Sequence, residues 1–359
     1  MQINNEKLYY VGGFVRDEIL GLQSVDIDYC YEGNAIEFAK NMQIIRTNPD
    51  FGTVRVVLDG QEVDIASTRI EIYPKSGHLP VVKTLGCTLF EDLKRRDFTI
   101  NALAKNTVTG EIIDYFNGLE DIKNKKLRVL HDLSFIDDPS RIVRGLKFSV
   151  RFGFELDNST KKLQDLYLSN INYDISYHRL KKELKETFSL NNDKAFDKFI
   201  NQGIYRLLGE NQLIPRVEHN IGELNVQFGS KYPYMVYLGL FDLSRFELTY
   251  EEKEIIVNFE RIKSSMPEDN ISTYNLFNKV PLESILLYAI SVNYEVAINY
   301  LTNLAKVEIA TKGDDLLKLG IKQGPIYKEI FDYLLACKLE NSSLTKDDEI
   351  SMLKRRFGL

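Results

Sequence analysis

Long apolar runs are missing from this 359-residue chain, and no stretch approaches the roughly 18–20 apolar residues that a membrane helix requires. The opening MQINNEKLYYVGG lacks the basic start and long apolar core of a secretory signal. Cysteine is scarce: Cys30, Cys87 and Cys337 are odd in number and too widely spaced for a disulfide framework or a zinc pair. A reducing, cytoplasmic setting is the expectation, with no membrane. The four histidines stand apart from one another. His131-Asp132 has the form of an HD metal pair, but such a site needs further His and Asp ligands, and no helical His partner precedes it. G-x-x-x-x-G-K-[ST], G-x-G-x-x-G and H-E-x-x-H are all absent, so the common phosphate-loop, dinucleotide and zinc-protease sites are excluded.

What is present is an ordinary folding composition. Hydrophobic residues make up 44% and charged residues 27%, which argues against disorder. At about 150 residues per domain the chain holds two or three units. With 46 Lys+Arg against 52 Asp+Glu the net charge is −6, which disfavours a generic nucleic-acid coat and leaves a local basic groove open.

The first 125 residues alternate between strand and helix patterns. Leu8–Val11 is an apolar run closed by Gly12-Gly13, and Phe14–Leu22 has helical spacing. Val25–Tyr31 reads as a strand and Ala35–Met42 as a helix. Val54–Leu58 and Glu62–Ser67 read as a hairpin around Asp59-Gly60. Pro74, Gly77 and Pro80 mark a loop. From about residue 136 the pattern turns helical. Asp138-Pro139 is a carboxylate cap followed by a first-turn proline. Ser176 caps His178–Phe188, Thr249-x-x-Glu252 is a capping box, and Thr345–Phe357 is a last helix with basic residues near its C-terminus. Ser264–Asn270 reads as a linker.

Four segments point to chemistry. Asp26 and Asp28 are two apart on a strand, so both project from one face. Adjacent carboxylates repel unless a cation lies between them, and hard oxygen donors suit Mg²⁺. A bare D-x-D is equally compatible with a solvated strand edge. Gly12-Gly13-Phe14-Val15-Arg16-Asp17 ends a strand and opens a helix, which aims N–H groups at an anion and lets a phosphate approach. The alternation of Val63 and Ile65 places Asp64 on a polar face. Three such acids from neighbouring strands can hold two divalent ions about 3.5–4 Å apart for in-line phosphoryl displacement. Arg95-Arg96-Asp97-Phe98-Thr99-Ile100-Asn101-Ala102 offers phosphate forks and ribose acceptors, or simply a charged helix face.

In this order and spacing, GG-x-VRD, D-x-D, RRDFTINA and DDPSRIVRGLKFSVRFGF resemble the class II tRNA nucleotidyltransferase and bacterial poly(A) polymerase family, over roughly residues 8–188. The resemblance implies an α+β fold, with a mixed-sheet head at 1–125 and an elongated, all-helical remainder. That remainder would divide into a neck at 126–190, a body at 191–265 and a tRNA-binding tail at 266–359. It implies metal ligation by Asp26, Asp28 and Asp64, and triphosphate binding by Gly12, Gly13, Arg16 and Asp17. Arg96, Asp97 and Asn101 would contact phosphate and ribose. Asp138 and Arg141 would read the incoming base, with Arg144 and Arg151 near phosphates. Ile112–Gly118 resembles the hinge between head and neck, with Asp114 and Gly118 at its marked positions.

The base-reading pair is open to donor and acceptor arithmetic. Asp138 and Arg141 are i and i+3, on one helix face. Ionised Asp only accepts and Arg only donates. Cytosine and adenine each pair an amino donor with a ring-nitrogen acceptor; guanine and uracil reverse both. At about 1–3 kcal/mol per buried mismatch, G and U are excluded by roughly two to four orders of magnitude. The expected function is thus addition of C and A, the CCA end, to tRNA from CTP and ATP with release of pyrophosphate. The expected partners are Mg²⁺ and the tRNA acceptor arm, with no obligate protein partner. A-only addition, poly(A) synthesis and a non-catalytic tRNA-binding relative are the alternatives. The loop Arg69–Pro80 resembles the form in A-adding and CCA-adding members, which argues against a CC-adding enzyme.

Overall fold

A computed structural model describes residues 5–23, 27–58 and 60–358. The chain divides into two compact units, Met1–Gln212 and Leu213–Leu359.

The first unit opens with β1 (Leu8–Val11), α1 (Gly13–Ile19), β2 (Asp28–Tyr31), α2 (Ala35–Phe38) and β3 (Gln43–Asn48). It continues with β4 (Thr53–Leu58), β5 (Gln61–Ser67), β6 (Arg69–Ile72), β7 (Val81–Leu85) and α3 (Leu89–Lys94). Then come β8 (Leu103–Asn106), β9 (Ile112–Asp114), α4 (Gly118–Lys123), β10 (Lys126–Leu127) and α5 (Ser134–Asp137). The unit closes with α6 (Ser140–Phe152), β11 (Glu155–Leu156), α7 (Asn158–Ser169), α8 (Tyr177–Phe188) and α9 (Asp193–Asn201).

Among the described residues a seven-stranded sheet has the order β3-β4-β5-β2-β1-β8-β9. Its pairs are antiparallel except β2 with β5, which run parallel with Asp28 opposite Asp64. The mixed sheet and the helices that follow make this an α+β fold. Alternation sorts the apolar residues onto the two faces. Leu8, Tyr29, Val54, Val56, Val63 and Ile65 pack with Ala35 and Ala39 of α2 and the turn after it. Tyr9, Val11 and Cys30 pack on the other face with Leu89 and Leu93 of α3. Asp28 stands at the start of β2 on this second face, ahead of Cys30. β6 and β7 form a separate hairpin spanning the Pro74–Pro80 loop.

Several elements are shorter than the sequence patterns suggest. The Ala35–Met42 pattern yields a four-residue helix, because Met42 N–H closes back on the Ala39 carbonyl and ends it. The Val25–Tyr31 strand is present from Asp28, and Ser24, Val25 and Asp26 lie outside the described residues, as does Asp59 of the hairpin turn. Asp114 caps α4: one carboxylate oxygen accepts from Phe116 N and Gly118 N, the other from Leu119 N. Gly118 is needed there, since a Cβ would fall 2.4 Å from the Thr99 carbonyl.

The second unit consists of α10 (Ile221–Phe228), α11 (Pro233–Leu238), α12 (Tyr250–Ile262), α13 (Asn270–Phe277), α14 (Leu282–Ser291), α15 (Tyr294–Thr302), α16 (Gly313–Lys318), α17 (Ile326–Glu340) and α18 (Lys346–Phe357). Thr249 and Thr345 form the capping boxes that open α12 and α18. Ile262, Phe277, Ile285, Tyr288 and Ala297 make up one core cluster; Leu316, Ile330, Leu334 and Leu353 make up another. Among the described residues no helix is long and apolar enough to cross a membrane.

Candidate active site

β1 ends at Val11, and the chain turns at Gly12 with φ 65° into α1. The positive φ favours glycine at this position, and a Cβ there would sit 2.9 Å from Arg96 Nη1 and push that guanidinium aside. Beneath the turn lies Arg16, which is buried. Its Nε and Nη2 donate to Asp17 Oδ1 at 2.9 and 2.7 Å, and Nη1 donates to Asn101 Oδ1 at 2.5 Å. The same guanidinium lies 4.7 Å from the Phe152 ring centroid. Burial pulls the Arg16 pKa below the usual arginine value, and Asp17 opposes the fall. Arg16 is therefore a brace under the turn as much as a cavity-lining cation.

Asn101 passes the network on. Its amide donates to Asp97 Oδ1 at 2.9 Å, and Arg144 Nε donates to Asp97 Oδ2 at 2.7 Å. Arg144 also reaches Glu183 of α8 at 3.2 Å, and Lys147 bridges Glu183 and Glu186. Burial opposes ionisation of Asp97, yet Arg144, Asn101, Arg141 and the Phe98 N–H carry its pKa down to about 2. A carboxylate depressed on folding stabilises the fold above its unfolded pKa, and that contribution is lost as pH falls through the folded value. Asp97→Asn should therefore lower stability at pH 7 by about 2 kcal/mol. The difference from the unmodified protein should shrink between about pH 4 and pH 2 in urea titrations. A pH-independent difference would show that Asp97 is not the ionised hub of this network.

Arg95 and Arg96 have different surroundings. Arg95 pairs with Asp92 at 2.8 Å and Glu71 at 3.2 Å, fastening α3 to β6. Arg96 donates to Asp92 Oδ2 at 3.0 Å, while its buried Nε has no hydrogen-bond partner among the described residues. Arg96 lines the cavity beside Gly12.

Asp138 caps α6, with Oδ1 accepting from Ser140 N at 3.1 Å and from Ser140 Oγ at 2.5 Å. Its Oδ2 accepts from Arg179 of α8. Arg141 donates through Nη1 to Ser134 Oγ at 2.7 Å and through Nη2 to the Arg95 carbonyl at 3.0 Å, with Tyr73 Oη at 3.4 Å. Three of the roughly four acceptor positions of the Asp138 carboxylate are thus filled. One remains, beside an Arg141 Nε that lies 3.8 Å from Asp138 Oδ2. Among the described residues the pair thus keeps one acceptor beside one donor. Arg179, Ser134 and Tyr73 are contributors that sequence reasoning missed; they come from other elements, and nothing local in the chain signals them.

These groups converge on one cavity of about 860 Å³, lined by Gly12, Gly13, Arg16, Asp28, Arg96, Asp97, Asn101, Asp138, Arg141, Arg144 and Arg151. Asp17 touches it indirectly, held between Arg16 and Arg151 Nη2, which is 3.6 Å away. A second cavity of about 670 Å³ carries Asp64 and shares Asp28 and Arg96 with the first. Asp64 accepts two bonds from Arg55, Nε at 2.8 Å and Nη2 at 2.5 Å, and these bonds hold its carboxyl below the usual range. Asp26 lies outside the described residues, and among the described residues no group of three His, Cys, Asp or Glu side chains converges as a metal cage. The donor chemistry of Asp28 and Asp64, hard oxygens in register on neighbouring strands, fits a divalent ion such as Mg²⁺.

Residues 8–128 match the Poly A polymerase head domain. Over 97% of its length the chain is 31% identical to an A-adding tRNA nucleotidyltransferase of Geobacter sulfurreducens, of which it spans 45%. It is 29% identical over 98% of its length to an A-adding tRNA nucleotidyltransferase of Halalkalibacterium halodurans, spanning 89% of that protein. The structure of a Thermotoga maritima CCA-adding enzyme complexed with tRNA superposes with a TM-score of 0.74 at 26% identity, covering 98% of this chain and 91% of that one. The chain thus carries a Poly A polymerase head at residues 8–128 and is similar along nearly its whole length to tRNA nucleotidyltransferases.

Proposed function

We propose that this protein extends the 3′ end of tRNA without a template, adding C and A from CTP and ATP and releasing pyrophosphate. One observation carries the reading. Asp28 and Asp64 stand opposite one another on β2 and β5, and Asp28 opens onto the cavity that holds both the glycine turn and the Asp138–Arg141 pair. A nucleotide seated there would place its base on Asp138 and Arg141 and its triphosphate toward Gly12, Gly13 and Arg96. Arg144, Lys147 and Arg151 would add positive charge along the same wall.

The Asp97–Asn101–Arg16 chain fixes the turn, so N–H groups and guanidinium forks are in place before substrate arrives. Asp28 and Asp64, together with Asp26, would hold Mg²⁺; two bound ions would activate the attacking 3′-hydroxyl and neutralise charge on the reacting and leaving phosphates. A-only addition is the second reading, favoured by the names of the Geobacter sulfurreducens and Halalkalibacterium halodurans relatives.

The test is to supply tRNAs lacking the full CCA end, its last two nucleotides or only the final A, each with single NTPs, and to sequence the products. Extension of all three tRNAs through CCA is the expected result. Extension only of the tRNA lacking its final A establishes the second reading, and homopolymeric A on all three would replace both.

A further inference from the structure

Across the sheet, four charged residues stand in register. Arg46 on β3 is opposite Arg55 on β4, Arg55 is opposite Asp64 on β5, and Asp64 is opposite Asp28 on β2. Directly opposed residues project from the same face, so the row reads plus, plus, minus, minus along the hydrogen-bonding direction. It floors the second cavity, whose walls add Thr47, Asn48 and Thr53. Asp28 is the one acidic side chain lining both cavities among the described residues.

A group-transfer site must seat two substrates on either side of its acids. The nucleotide's phosphate and base partners line the first cavity, and the second carries the spare positive charge. Arg46 makes no ion pair among the described residues, and every residue of β3 is exposed. That charge is therefore not spent on the fold. From Arg55 to Asp28 is two strand spacings, about 10 Å. One nucleotide covers this distance once the reach of an arginine side chain is subtracted.

We propose that Arg46 and Arg55 seat the last internucleotide phosphate of the acceptor RNA, so that its terminal 3′-oxygen falls over Asp28 and Asp64. The assignment rests on the nucleotidyl-transfer reading above and adds the residues that hold the second substrate. Arg55 is already paired with Asp64 and Glu62 and adds its charge beside the phosphate, whereas Arg46, without an ion pair among the described residues, makes the direct contact. Arg46 therefore gives the cleaner test.

The measurement uses the full chain and an RNA acceptor-stem minihelix, either unmodified or with a neutral methylphosphonate replacing only its last internucleotide phosphate. Arg46→Gln should bind the unmodified RNA about tenfold more weakly in fluorescence anisotropy. Its log–log salt slope should fall by about 0.7–0.9, and the KM for the RNA should rise while the KM for ATP stays put. The methylphosphonate should weaken the unmodified protein about tenfold and Arg46→Gln by much less, since only Arg55 is left beside the phosphate. Equal sensitivity of the two proteins to the methylphosphonate would overturn the assignment, as would undiminished binding by Arg46→Gln. Failure of the parent reading looks different: the unmodified protein would then add no nucleotide to any tRNA.

Discussion

Asp28→Asn should abolish nucleotide transfer, lowering kcat by about 10³-fold or more, while leaving the fold intact. The first effect follows from removing a hard, charged donor at the junction of the two cavities, where the proposed reaction would develop charge on phosphate oxygens. The second follows from exposure: Asp28 stands open to solvent at the start of β2, so the isosteric amide disturbs no packing. Single-turnover kinetics and thermal unfolding in metal-free buffer read the two effects separately. A stable variant with near-normal kcat would remove Asp28 from the chemistry. A strongly destabilised one would make it a structural residue.

Base choice should fail in a specific direction. Asp138→Ala removes the acceptor that an amino group of C or A would meet, and it leaves Arg141 able to donate to either a ring nitrogen or a carbonyl. The preference for ATP over GTP, measured as a ratio of kcat/KM, should fall roughly 5- to 150-fold, the equivalent of one buried mismatch of about 1–3 kcal/mol. Because Asp138 also receives Arg179 and Ser140, some loss of total activity should accompany the change. Ser140→Ala separates the two effects, since it loosens the carboxylate without removing its charge and should lower rates while keeping the ratio. An unchanged ATP:GTP ratio in Asp138→Ala would show that selection lies elsewhere.

The local chemistry of the fold was readable from the chain. Caps at Ser176, Thr249 and Thr345 stand where side-chain oxygens meet free helix N–H groups. The Leu8–Val11 strand and its glycine turn follow from an apolar run ended by residues that tolerate positive φ. β3 escaped notice because all six of its residues are exposed, so no burial alternation marks it. The separate β6–β7 hairpin was read only as a loop, since Pro and Gly at its tip dominate the pattern. Asp64 was placed on a polar face, and the hairpin register would have named Arg55 as its opposite. What no local pattern carries is long-range pairing. Arg179 reaches Asp138 from 41 residues away and Arg144 reaches Asp97 from 47. The compact unit ends at Gln212 rather than at a compositional break, because contacts of this kind bind the helices after residue 136 to the sheet.

The position of β1 also governs the order of events at the ribosome. Among the described residues it precedes every other strand along the chain, yet it lies in the interior of the sheet, flanked by β2 on one side and by β8 on the other, with Tyr9 opposite Asn106. Half of its ladder stays unpaired until nearly a hundred further residues have emerged, on the order of ten seconds at typical translation speeds. During that interval Leu8–Val11 offers a bare edge to any other nascent strand, so the yield of native protein should depend on how quickly synthesis passes residue 106.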